Sequence, residues 1–452
     1  MRSASILHCC VLLVVGWFTT ADADDRDDRR PNVLLITADN LGYGDLGCYG
    51  NEKIKTPRLD RLAEQGVRCT SFYSASPTCT VSRACLLTGR YPQRHGLTDQ
   101  LSGLGGNYGV GLGQREVLLP QVLKPAGYRT ACFGKWNIGF AEGSRPTERG
   151  FDEFFGHASG NMDYYTHLYN GRLDMHRGTE PVRVDGYSTD LFADAACRFI
   201  REQAQVPFFV YLPFNAPHFP DARNKKEGQP TIWQAPDSAF RAYGYDPATD
   251  DERKRYFAVV TALDAAIGRV LDTLDETGLA EKTLVIFVSD NGAFMLRDRG
   301  RGAASNGPLR NGGITLFEGG IRVPCIVRHP GVLPAGRDCD EPLLSCDFFP
   351  MIAHVAGGKL PDNRTIDGRN PTAALAGEAS SPHEALFFEY RSYAAMRQGR
   401  WKLLRTAPEE PFQLFDLEND LGEKRNLAEE HPQIVERLKA EWKQWRRNVE
   451  RE

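Results

Sequence analysis

Short apolar runs alternate with amphipathic stretches over most of the chain. Asn32 to Thr37 follows a proline and is apolar through its middle, the pattern of a strand buried on both faces. Thr130–Phe133, Phe208–Leu212 and Thr283–Val288 repeat it. Thr56-Pro57 opens a helix with Leu59, Leu62 and Ala63 on one face, and Gly66 ends it. Helices are also predicted over Val117–Ala126, Asp190–Gln203 and Tyr256–Thr277, with a short helical piece over Ser82–Leu87. This alternation predicts an α/β fold: a large, mostly parallel mixed sheet covered by helices on both faces. Ligands of such sheets bind beyond the carboxyl ends of the strands. Each predicted strand ends there in glycine or polar residues: Asp39-Asn40, Gly134-Lys135-Trp136-Asn137, Asn215 to His218, and Ser289-Asp290-Asn291-Gly292. These clusters should converge at one edge.

After Gly357 the pattern changes. Ala385–Tyr390, Ala394–Arg397, Trp401–Leu404 and Gln413–Asp416 are short runs with turns between them, the mark of a smaller C-terminal antiparallel sheet. His431 to Asn448 adds a helix with Ile434, Leu438, Trp442 and Trp445 on one side. Residues 31–357 are therefore expected to form one large domain and residues 358–452 a small C-terminal α+β subdomain. At the start, Ile6 to Phe18 is an apolar run followed by Ala21-Asp22-Ala23. That predicts a signal peptide over residues 1–23 and an exported protein, periplasmic or secreted. The run is too short for a membrane span.

Lys+Arg is 55 against 59 Asp+Glu, a net charge of −4, which argues against a nucleic-acid partner. Of 11 cysteines, Cys9 and Cys10 leave with the signal peptide. The odd remainder leaves at least one unpaired within the chain; Cys339 and Cys346 are close enough to bridge a short loop, though the pairing stays open.

Asp39 and Asp290, each followed by an amide (Asn40, Asn291), offer a hard oxygen site of the kind that holds calcium or magnesium. The same residues also suit turns. Cys79 stands four residues before Arg83 at a helix start, where a cation and the helix end act on its thiol, although a buried cysteine is an equally ordinary reading. Lys135 and His218 carry no local signal beyond their position.

Taken together, the segments resemble a formylglycine-dependent sulfatase of the alkaline phosphatase superfamily. The likeness rests on Ile36 to Gly50, Cys79 to Arg90, Gly134 to Gly139, Ala216-Pro217-His218, Ser289 to Gly292 and Glu318 to Pro324, in that order. The resemblance implies that a formylglycine-generating maturation enzyme oxidises Cys79 to 3-oxoalanine (formylglycine). It implies that Asp39, Asn40, Asp290 and Asn291 hold Ca²⁺ with an oxygen at position 79. Arg83 and Lys135 would clamp the sulfate and His218 would protonate the leaving oxygen. The implied substrate is a sulfated carbohydrate or other sulfate ester. Other readings of the same fold are a catalytically impaired binder of sulfated glycans and a related phosphoester or phosphonate hydrolase.

Four positions depart from the family's usual pattern. Asn40 stands in place of an aspartate, Val81 of a proline, Asn137 of a histidine and Gly313 of a lysine. Asn137 is expected to donate a hydrogen bond to sulfate and to leave the base for expelling sulfate missing; the alternative is that another residue, for example His95 or His157, supplies it. Arg310 or the Arg297–Arg301 loop is expected to supply the missing cation. The aromatic stretch Phe151 to Gly171 reads as a wall for sugar rings or as a packed loop beneath the site.

Overall fold

The computed structural model describes residue 1 and residues 30–101, 111–203, 205–220, 233–295 and 302–450. The predicted signal peptide and the Arg297–Arg301 loop lie outside these. One ten-stranded sheet dominates. Its strands are β1 (Asn32–Ala38), β2 (Val67–Cys69), β3 (Arg129–Lys135), β4 (Glu153–His157), β5 (Met175–Arg177), β6 (Glu180–Pro181), β7 (Phe208–Pro213), β8 (Thr283–Ser289), β9 (Cys325–Arg328) and β10 (Arg337–Cys339). Their order is β10-β2-β9-β8-β1-β7-β3-β4-β5-β6. The central five, β8-β1-β7-β3-β4, are parallel, and antiparallel pairs flank them on both sides.

The strand β1 shows why the runs are continuous rather than alternating. Leu34, Ile36 and Ala38 belong to one core and Val33 and Leu35 to another, so both faces are covered. Helices α1 (Pro57–Glu64), α3 (Ser188–Glu202) and α4 (Glu252–Glu276) cover the first face. Helices α2 (Cys79–Thr88) and α5 (Phe348–Val355) cover the second. The helix α2 starts at Cys79 itself, earlier than its apolar residues alone indicate.

Four antiparallel strands, β11 (Leu386–Tyr390), β12 (Tyr393–Gln398), β13 (Trp401–Arg405) and β14 (Gln413–Asp416), form the C-terminal sheet, with α6 (Pro432–Val449) packed on it. A buried ion cluster ties this sheet to the large one: Lys402 on β13 lies 2.8 Å from Glu318 and 2.9 Å from Glu423. Among the described residues no helix is long and apolar enough to cross a membrane.

Candidate active site

The carboxyl ends of β1, β3, β7 and β8 bring the predicted clusters together. Asp39 is held by its amide on Ala216 O, and Asp290 by its amide on Ala38 O, each at 3.0 Å. Asn40 sits at φ +61°, a conformation asparagine tolerates, and its amide donates to Asp290 Oδ1 at 3.0 Å. Arg83 donates from Nε and Nη2 to Asp290 Oδ2 at 3.0 and 2.7 Å, and from Nη1 to the Lys135 carbonyl. Lys135 Nζ donates to Asp39 Oδ2 at 2.6 Å. Gly134 makes this placement attainable, because a Cβ there would lie 2.0 Å from Pro213 O on the neighbouring strand.

Ligand atoms of Asp39, Cys79 and Asp290 all lie within 4.8 Å of one another, and all three residues are buried. Asp39 Oδ1 and Asn291 Oδ1 are buried oxygens without a hydrogen-bond partner. Asn291 Nδ2 donates to Asn40 Oδ1 at 2.6 Å, so Asn40 has only a second lone pair of that oxygen to offer. Two carboxylates, orphaned amide and carboxylate oxygens and no nearby histidine pair suit a hard divalent cation. Burial, with Asp39 beside it, pushes Asp290 up to about 6. Burial also raises the Cys79 thiol, against the pull of Lys135.

Above this cluster lies a cavity of about 290 Å³. Cys79, Asn137 and His218 line it, as do Thr78 and Gln100. Arg83 and Lys135 are fully buried behind its floor, engaged with the two carboxylates. His218 Nδ1 donates to Phe219 O at 2.7 Å, which assigns the proton of the neutral ring to Nδ1 and leaves Nε2 as its basic atom. Asn137, at φ +53°, is 3% exposed, and its Nδ2 has no partner.

Several expectations need correction. Arg310 turns away: its Nη1 donates to Glu423 O at 2.6 Å and its guanidinium covers the Phe317 ring. Neither substitute base lines the cavity. His95 Nε2 meets Cys85 Sγ at 3.4 Å, and His157, fully buried on β4, is lowered by burial and faces Asp174 at 3.7 Å. The aromatic stretch is mostly packing: Phe151, Phe154, Phe155 and Tyr164 are buried, and only Tyr169 of that set lines the cavity. The nine described cysteines are all free thiols; Cys339 and Cys346 contact the carbonyls of Ala374 and Arg90 instead of each other.

Other lining residues had no sequence signal. Gln100 brackets Cys79, with Nε2 3.4 Å from Cys79 Sγ and Oε1 accepting from the Thr80 amide at 3.2 Å. Tyr390 and Arg391 reach the cavity from the turn between β11 and β12, where both bond Asp99 at 3.0 Å. Phe294 and Ile314 complete the apolar part of the lining together with Leu101.

The sheet and the cluster at its carboxyl edge define the class: a hydrolytic enzyme with an alkaline phosphatase-like α/β fold. The Sulfatase family model matches residues 31–358, so the chain belongs to the sulfatase family and is a sulfatase. A second model, described as N-sulphoglucosamine sulphohydrolase, C-terminal, matches residues 314–448. The chain is 33% identical to steryl-sulfatase of Mus musculus, over 91% of this chain and 81% of that protein. It is also 33% identical to N-acetylgalactosamine-6-sulfatase of Canis lupus familiaris, over 83% and 71%. The crystal structure of Ps i-CgsB in complex with k-i-k-neocarrahexaose superposes with a TM-score of 0.82 at 30% identity, covering 92% of each chain.

Proposed function

We propose that this sulfatase is exported and hydrolyses sulfate esters of a carbohydrate, using a formylglycine made from Cys79 and a Ca²⁺ held by Asp39, Asp290, Asn291 and Asn40. The observation that carries this is the buried Asp39–Cys79–Asp290 cluster, with unpartnered buried oxygens, which meets at Cys79 a cavity that His218 also lines. When present, the ion supplies Lewis-acid charge to the sulfate oxygens and the formylglycine supplies the nucleophilic oxygen. Arg83 and Lys135 fix the two carboxylates and offset their charge. These four groups sum to zero, so a dication leaves the floor positive, which suits a sulfate monoester. Asn137 Nδ2 is a buried donor available to a sulfate oxygen. His218, when protonated, can donate from Nε2 to the leaving oxygen. The carbohydrate assignment draws support from the oligosaccharide complex of the 30%-identical neighbour, and the export assignment from the N-terminal apolar run.

All ten residues of α2 are buried, including Cys79. A maturation enzyme must therefore reach this segment before the chain folds. The test is mass spectrometry of residue 79 in protein from its own cell, paired with sulfate release. Formylglycine at 79, with activity abolished in Cys79→Ala, is expected. Full activity of Cys79→Ala would refute the assignment.

A further inference from the structure

Ile314 is a backbone outlier. Its φ of +67° lies in the left-handed region, where a β-branched side chain crowds its own carbonyl. It is also 43% exposed, and of the exposed large apolar side chains among the described residues it alone lines the cavity. Its amide donates to Pro77 O at 2.9 Å, two residues before Cys79, which holds the strained turn against the nucleophile segment. Backbone preference alone would put glycine at 314. The glycine is instead at 313, for a different reason. A Cβ there would lie 2.2 and 2.3 Å from Phe294 Cδ1 and Cε1, so the Phe294 ring fills the space of a side chain at 313. The Phe294 ring also meets the His218 ring edge-on, with centroids 6.0 Å apart.

We propose that Phe294 and Ile314 form an apolar wall beside the leaving group, and that it selects sulfate esters whose leaving group is a ring with an uncharged, apolar face: an aryl ring or the C–H face of a neutral pyranose. The inference rests on the sulfate-ester reading and on His218 standing at the leaving oxygen. Strain retained at an exposed apolar residue in a ligand cavity is consistent with a binding role, because neither burial nor backbone preference accounts for it. The lining charge accords with an uncharged ring. Among the described residues Arg391 is the only lysine or arginine lining the cavity, and Asp99 pairs with it at 3.0 Å.

The test measures binding by titration calorimetry to the full chain in Ca²⁺, produced without the maturation enzyme so that Cys79 keeps its thiol and ligands bind without turnover. The ligands are inorganic sulfate, 4-nitrophenyl sulfate and a neutral hexose 6-sulfate. Ile314→Gly should raise the Tm by about 1–2 °C as the left-handed strain is relieved. It should leave inorganic sulfate affinity unchanged and weaken ring-bearing esters about tenfold. Phe294→Ala should show the same selectivity. A loss confined to the aryl ligand assigns the wall to aryl groups, and a loss shared by the hexose ester assigns it to sugar rings. Equal effects on all three ligands, or none, would overturn the wall. If the parent binds none of the three, the sulfate-ester reading itself falls.

Discussion

The replacement Asn137→His tests what the cavity lacks. Expelling sulfate needs a proton acceptor, and neither histidine that offered an alternative base is placed for it: His95 is engaged with Cys85, and His157 is buried beside Asp174 and does not line the cavity. His218 is then the only histidine among the described lining residues, and on the proposed reading its Nε2 acts at the leaving oxygen. General-base help is typically worth ~10²–10⁴-fold, or about 2.7–5.5 kcal/mol of barrier. Wild-type enzyme should therefore release the leaving group ahead of sulfate, with a burst followed by a slower steady state. The variant is structurally feasible. Histidine shares with asparagine a tolerance of the left-handed region that position 137 occupies at φ +53°, and Gly160 leaves space on one side of the Asn137 amide. Asn137→His should speed the steady state by at least about tenfold and leave the burst rate nearly unchanged. Rapid-quench sampling of leaving group and free sulfate from one reaction reads both. Equal, burst-free release in wild type, with no gain in the variant, would mean that His218 serves both steps and that Asn137 only binds sulfate.

Asn40→Asp should tighten Ca²⁺ about tenfold or more in a chelator-competition titration, because it adds a full charge beside a dication and can still accept from Asn291 Nδ2. Asp264, 1% exposed, accepts from the Leu59 amide at 2.8 Å, and burial pushes it up to about 7. A raised carboxyl favours the folded state when protonated, so stability should fall as pH rises from about 4 to about 7, by at most roughly 4 kcal/mol. Denaturant titrations of Asp264→Asn should show that slope flattened. Lys402→Met leaves Glu318 and Glu423 buried without their shared cation and should cost about 3–5 kcal/mol in thermal unfolding.

Much of this site was legible because catalytic polar residues of such a sheet follow uninterrupted apolar runs. Asp39, Lys135, His218 and Asp290 each sit within a few residues of a central strand's end, and that pattern survives without any tertiary knowledge. Short strands one place in from the two edges of the sheet were not legible. Val67–Cys69 and Met175–Arg177 are three residues long and mix charge with apolar positions, so no period can form. The aromatic stretch stayed ambiguous between a wall and a packed loop for a related reason. Phe154 and Phe155 on β4 enter opposite cores, and composition cannot separate a strand buried on both faces from a stacking surface. Arg391 arrives at the cavity through a contact with Asp99 that spans 292 positions, and nothing local marks it.

The departures from the family pattern also make sense together. Asn40 removes one negative charge from the metal cluster, and Gly313 removes one positive charge from the cavity, so the formal charge of the whole site is unchanged. What changes is its distribution: the cluster proposed to hold the ion has one carboxylate fewer, and the cavity beside residue 313 becomes apolar. The exchange is also steric, since a lysine at 313 cannot coexist with the Phe294 ring in its present place. Restoring the carboxylate at 40 alone would thus leave the site one charge more negative, so a tighter ion should come with weaker sulfate binding. Restoring the lysine would require Phe294 to leave, which dismantles the wall beside His218. The proposed metal cluster and leaving-group wall would therefore be linked through charge, while volume links residue 313 only to the Phe294 ring.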